Sequence, residues 1–178
     1  MKNIRAKRET SREYLMKLMY QTYISNGDIT DLENELEGFL ENNQEYIISR
    51  YKELVLTYSD RDVNLDDVTV NKCVDKAYLT KVCDILRLRI DDINELIENN
   101  TKNWSINRFS KIDLAILQIA IAEMLSDLNI PEKVSINQAI DLAKIYCEES
   151  RAPVFLLVFT FLLLLFPSFT FLSFTLLA

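Results

Sequence analysis

Residues 103–146 read N-W-S-I-N-R-F-S-K-I-D-L-A-I-L-Q-I-A-I-A-E-M-L-S-D-L-N-I-P-E-K-V-S-I-N-Q-A-I-D-L-A-K-I-Y, and they decide the fold. Ser110 precedes Lys-Ile-Asp, an S-x-x-D pattern that predicts a capped helix start, and it puts Asp113 near the positive end of the helix dipole. Ile112, Leu114, Ala115, Ile116, Leu117, Ile119, Ala120 and Ile121 then surround the axis almost completely. A helix that is apolar all round belongs at the centre of a core. Pro131 stops the chain, and Ser135-Ile136-Asn137-Gln138 reads as a second capping box. Beyond it Ile136, Ala139, Ile140 and Ala143 make one apolar stripe, while Asn137, Asp141, Lys144 and Glu148 face water. This second helix is amphipathic and peripheral. Trp104 is expected to lid one end of the central helix.

Composition agrees with an all-α chain. Two glycines and three prolines in 178 residues are too few for a turn-rich β protein. The 27 acidic residues outnumber the 20 basic ones, for a net charge of −7, so any nucleic-acid binding must come from a local basic patch. Histidine is absent, which removes the commonest general base and the commonest metal ligand together. Cys73, Cys83 and Cys147 show no C-x-x-C spacing, so they read as reduced thiols packed as small hydrophobes. The opening M-K-N-I-R-A-K-R lacks the apolar stretch of a secretory signal, and the sequons at Asn99 and Asn103 are treated as chance matches. No catalytic constellation, metal site or cofactor is expected.

Upstream of the deciding stretch the charge is segregated. Lys2, Arg5, Lys7, Arg8 and Arg12 stand against the single acid Glu9, and they lead into a helical pattern from Ser11. There Leu15, Leu18, Met19 and Thr22 follow the spacing of one buried face, and Gly27-Asp28 ends the helix. From residue 28 to residue 45 there are seven acids and no Lys or Arg. Leu32, Leu36, Phe39 and Leu40 mark an acidic helix over residues 31–40, and a third helix is expected over residues 45–58. Residues 59–67, S-D-R-D-V-N-L-D-D, read as a solvated loop. Its alternating acids lack the glycine and the closing glutamate of a calcium loop. Residues 70–99 hold one or two helices, with Leu79, Val82, Cys83, Leu86, Ile90, Ile93 and Ile97 at three-four spacing.

After Arg151 the composition changes. Residues 152–178 carry no charge and hold seven of the nine phenylalanines. Three readings of this tail stand side by side. As a membrane anchor, the run from Val154 to Phe166 would span only about 20 Å as helix, against a hydrocarbon core of roughly 30 Å, and the longer stretch crosses Pro167. As a core helix it lacks a polar face. As a sequence outside the native reading frame, its low-complexity Phe/Leu/Ser/Thr character is explained. The domain division that follows is a helical body over residues 1–151 and an uncharged tail over 152–178.

Three blocks now stand in order: the basic opening followed by S-R-E-Y-L-M-K-L-M-Y-Q, then N-W-S-I-N-R-F-S-K-I-D-L-A-I-L-Q-I-A-I-A-E-M-L, then I-P-E-K-V-S-I-N-Q-A-I-D-L-A-K-I-Y-C. In order and spacing they resemble the NusB family of bacterial transcription antitermination and ribosomal-RNA synthesis factors, over about residues 2–153. The resemblance implies an all-α fold of two packed helical bundles, six to seven helices in all, with no enzymatic activity and a cytoplasmic setting. It implies binding of boxA-type RNA in nascent ribosomal RNA transcripts, together with NusE, a small-subunit ribosomal protein, in the antitermination complex on RNA polymerase. On the matching positions it implies that Arg5, Lys7, Arg8 and Arg12 meet RNA, with Phe155 close to the RNA surface. It likewise implies that Tyr20 and Asp113 serve the NusE contact. Asp113 also has the plainer role of a helix N-terminal charge. The chain departs from the family after Phe155, where Leu156-Leu157-Val158 stands in place of I-N-G-V-L and a polar closing helix.

Two other function classes follow from the same residues. A tail-anchored helical interaction module would partition with membranes and be released by deletion of residues 152–178. A piece of a methyltransferase would need a glycine-rich cofactor loop, and the two glycines, Gly27 and Gly38, supply none. If the five N-terminal cations all meet single-stranded phosphates, the log–log salt slope of RNA binding is about −3.5, at roughly 0.7 per contact.

Overall fold

The computed structural model describes residues 4–58, 65–101 and 105–147. Among the described residues the chain forms helices only: α1 (Ile4–Ile24), α2 (Leu32–Asn42), α3 (Gln44–Thr57), α4 (Val70–Cys73), α5 (Lys76–Asn99), α6 (Lys111–Leu125) and α7 (Glu132–Tyr146). Short 3-10 turns at Ile29–Asp31 and Ile106–Arg108 lead into α2 and α6.

The apolar run around α6 does what its composition demands. Ser110 caps it, its hydroxyl oxygen accepting from the Asp113 amide at 3.1 Å. Every residue from Asp113 to Glu123 is buried, because α5, α7 and α1 all pack on this one helix. α1, α2 and α3 make one group, α5, α6 and α7 the other, and the contact of α1 with α6 joins them. The chain is thus two packed helical groups with α6 inside.

Three helix boundaries differ from the sequence expectation. α1 begins at Ile4 rather than near Ser11, because residues 4–10 are mostly good helix formers and nothing in them breaks the turn. Ser11 is buried within the helix, where its hydroxyl donates to the Lys7 carbonyl at 2.8 Å and accepts from the Asp75 amide at 2.9 Å. At the far end of α1 the left-handed residue is Asn26, with φ 54°, and not Gly27. The Gly27 amide donates to the Thr22 carbonyl at 2.8 Å, closing a Schellman turn. A Cβ on Gly27 would lie 3.0 Å from Thr22 Cγ2, so glycine serves close approach there. α7 begins at Glu132 with Pro131 as its N-cap, so the capping box expected at Ser135 does not form. Proline presets the entry to this helix, and Ser135 is drawn inward, donating to the Glu123 carboxylate at 2.7 Å.

The remaining stripes bury largely as their spacing requires, with Leu36 and Ile90 only half-buried. Leu32, Phe39 and Leu40 of α2 are buried, as are Leu79, Val82, Cys83, Leu86, Ile93 and Ile97 of α5. Asp75 separates α4 from α5 by capping the latter, its carboxylate accepting from the Tyr78 amide at 3.1 Å. On α7 the buried stripe includes Leu142, and Ile140 is only half-buried. Cys73 and Cys83 are buried, and burial pushes their thiols up to about 11 and about 12. Trp104, residues 59–64, the boundary at residues 151 and 152, and the whole tail lie outside the described residues. Among the described residues no helix is long and apolar enough to cross a membrane.

A buried carboxylate ties α1 to α3 and α7. Glu13 is 3% exposed and accepts from Lys17 Nζ at 2.8 Å, from Arg50 Nε at 2.7 Å and from the Tyr146 hydroxyl at 2.6 Å. Burial works against its charge, but the hydrogen bonds from Lys17, Tyr146 and Arg50 overcome it and hold the carboxyl below its ordinary value. A depressed folded-state value contributes stability above the unfolded-state value and loses it on acidification. Chemical denaturation at a series of pH values is therefore expected to show stability falling as pH drops through about 4.3, the ordinary glutamate value, and onward through the lower folded-state value. Glu13→Gln should flatten that part of the curve, and an unchanged acid limb would exclude Glu13 as its source.

Candidate nucleic-acid interface

Arg5, Lys7, Arg8 and Arg12 are carried on α1, and helical geometry sorts them. Arg5, Arg8 and Arg12 follow one another by three and four residues, so they share one face of α1. That face turns toward the rest of the protein. Its three side chains meet three different fates.

Arg5, at the N-terminal end, is exposed, and its guanidinium lies over the Tyr58 ring with the guanidinium carbon 4.0 Å from the centroid. The Tyr58 hydroxyl donates to the Glu9 carboxylate. Burial, and then this acceptor, push the Tyr58 hydroxyl up to about 12, so it stays a neutral donor at ordinary pH. The chain Arg5–Tyr58–Glu9 fixes the guanidinium in place with part of it open to solvent. Arg8 is half-buried and pairs with Asp75, Nε to Oδ2, at 3.2 Å. Lys7 is half-exposed and makes no ion pair among the described residues.

Arg12 differs from the other two. It is 5% exposed, and its guanidinium is held by Glu123, Nε at 2.5 Å from Oε1 and Nη2 at 3.2 Å from Oε2. The same carboxylate accepts from the Tyr78 hydroxyl and from Ser135, so α1, α5, α6 and α7 converge on one buried acid. Burial disfavours the Arg12 charge, but Tyr78 and Glu123 outweigh it and raise the guanidinium above its ordinary value. A cation so held has no face left for a phosphate. It ties α1 to α6.

The remaining candidates are placed as follows. Phe155 lies outside the described residues. Tyr20 is 40% exposed on α1, and Ile24, one turn later, is 60% exposed. Asp113 is 3% exposed at the first turn of α6. Tyr23 joins the two regions, donating to Gln118 at 2.5 Å and lying 5.3 Å below Lys111 Nζ. The end of α1 carrying Tyr20 is thereby set beside the start of α6 carrying Asp113. An exposed Tyr20 can meet a partner directly. Asp113 is buried in the first turn of α6, its amide held by the Ser110 cap.

Several site residues escaped the sequence. An open groove of about 600 Å³ lies between the start of α1 and the outer face of α7, with Arg5 on one wall and Asn137, Gln138, Asp141 and Lys144 on the other. Tyr58 and Gln138 entered no candidate set, because nothing local links them to residues far away in the chain. Glu123 left one signal: a lone acid after nine apolar or amide positions of a helix with no wet side must be paired. Among the described residues no three His, Cys, Asp or Glu side chains gather to hold a metal ion.

Comparison with known proteins gives the chain its family and its fold. The model of the NusB family matches residues 9–155. A transcription antitermination protein NusB from Clostridium botulinum (strain Kyoto / Type A2) is 35% identical over 145 residues, which is 82% of this chain and 91% of that protein. The protein of the same name from Clostridium kluyveri is 36% identical over 145 residues, covering 82% of this chain and 87% of its own length. A solved structure of T. maritima NusB superposes with a TM-score of 0.57 at 22% identity, covering 86% of this chain and 88% of that one, a likeness of fold. Arg5, Lys7 and Arg8 precede the matched span.

Proposed function

This chain belongs to the NusB family, and from that membership we propose that it is a transcription antitermination factor that binds boxA-type RNA of nascent ribosomal RNA transcripts together with NusE. The partners follow from the same reading: the RNA, the ribosomal protein NusE, and through them the antitermination complex on RNA polymerase. We assign it no catalysis and no cofactor.

The observation that carries the RNA side is Arg5, fixed over Tyr58 at the mouth of a groove, with Lys7 half-exposed at the same end of α1 but on another face. An acidic protein with cations gathered at the start of one helix attracts phosphate there against a net negative charge over the whole chain. Tyr20 and Ile24 give the NusE side an exposed aromatic and aliphatic pair one helical turn apart.

A salt titration of boxA-type RNA binding tests the assignment. With Arg12 buried and Arg8 engaged by Asp75, Arg5 and Lys7 are the described cations at this end of α1 left for phosphate, and with Lys2 counted from the sequence the expected log–log slope is about −2 and not −3.5. The double variant Arg5→Ala, Lys7→Ala should lower it to about −0.7. A slope that the double variant leaves untouched would remove α1 from the RNA contact.

A further inference from the structure

We propose that the groove between the first turn of α1 and the outer face of α7 reads base edges of single-stranded RNA, with Asn137 and Gln138 as its specificity-determining residues. This rests on the RNA-binding reading above and adds to it the place where sequence is recognised.

The chemistry of the groove suits bases better than phosphates. Its α7 wall pairs Lys144 with Asp141 at 3.3 Å, so the lysine charge is offset and a carboxylate faces any phosphate that enters. Arg5 alone at the mouth offers an uncompensated cation, which can hold the backbone while the bases turn inward. Val134, Asn137, Gln138 and Asp141 recur at three-four spacing, so they form a continuous strip along one helical face. Asn137 is exposed and carries both a donor and an acceptor. Gln138 is half-buried, and its side-chain oxygen accepts from Arg12 Nη1 at 3.5 Å. Because Glu123 clamps Arg12, the Gln138 oxygen is turned toward the protein and its amide hydrogens are left to donate. Arg12 is therefore a positioning residue for base reading, one step removed from the RNA. Val134, 42% exposed, and the half-buried Ile140 supply apolar surface for the flat faces of the bases. A volume of about 600 Å³ lies within the ordinary range of small-molecule sites, about 300–1,000 Å³.

The test uses the full chain, a boxA-type RNA and a scrambled RNA of the same length and composition, with binding followed by fluorescence anisotropy. Asn137→Ala and Gln138→Ala each change a residue outside the core, and thermal melting checks that the fold is kept. Each is expected to weaken boxA-type binding by roughly 5- to 150-fold, the worth of one good two-point base contact. Scrambled RNA binding and the salt slope should not change. Arg5→Ala should differ in kind, weakening both RNAs alike and lowering the slope by about 0.7. If the wild-type chain discriminates and both α7 variants discriminate equally well, the groove is not the reading site. If the variants lose NusE binding with RNA discrimination intact, the groove takes protein and the proposal is overturned. If the wild-type chain itself does not discriminate, the RNA-binding reading fails and this one falls with it.

Discussion

Glu123→Ala is expected to destabilise the folded chain by about 3–5 kcal/mol, the cost of leaving a buried charge without its partner. The variant strands the Arg12 guanidinium in a site that is 5% exposed and removes the acceptor for Tyr78 and Ser135 as well. For a chain of this size each kcal/mol moves the melting temperature by roughly 2–4 °C, so the transition should fall by about 6–20 °C. Arg12→Met combined with Glu123→Leu should recover much of that loss, because neither buried charge then remains. The double-mutant cycle measures the coupling directly. Additive effects of the two single changes would mean that the two side chains do not share one site.

Leu117→Ala should cost about 2–5 kcal/mol, the range for emptying a fully enclosed aliphatic position. Leu117 is 0% exposed on α6, which has no wet side to collapse toward. Ile145→Ala on α7 provides the contrast: Ile145 is 58% exposed, and its loss should stay within about 0.5 kcal/mol. Equal costs at the two positions would contradict the placement of α6 inside and α7 outside.

The fold was largely legible because helix periodicity is a local signal. Leu15, Leu18, Met19 and Thr22 announce the buried face of α1 by spacing alone, and the unbroken apolar run of α6 announces a central helix. Boundaries were less legible. Ser135 carries the pattern of a cap, but Glu123, twelve residues earlier and on another helix, recruits its hydroxyl. The same limit governs the interface. Five basic residues in twelve look like one electrostatic patch in the sequence, and only the packing partners tell them apart. Arg12 meets an acid 111 positions away and is spent inside, Arg8 meets Asp75, and Arg5 finds an aromatic ring that holds it at the surface. Nothing near Arg12 in the chain distinguishes it from Arg5. The groove beside α7 was hidden for the same reason, since Asn137 reads as part of an ordinary wet face and Gln138 as the end of a capping box until α1 lies across from them.

The most direct test is the affinity of the full chain for a boxA-type RNA and for its scrambled counterpart at physiological salt, each measured with and without NusE. The account predicts tighter binding of the boxA-type RNA, and a wider gap between the two RNAs when NusE is present. Equal affinity for both RNAs under both conditions would contradict it.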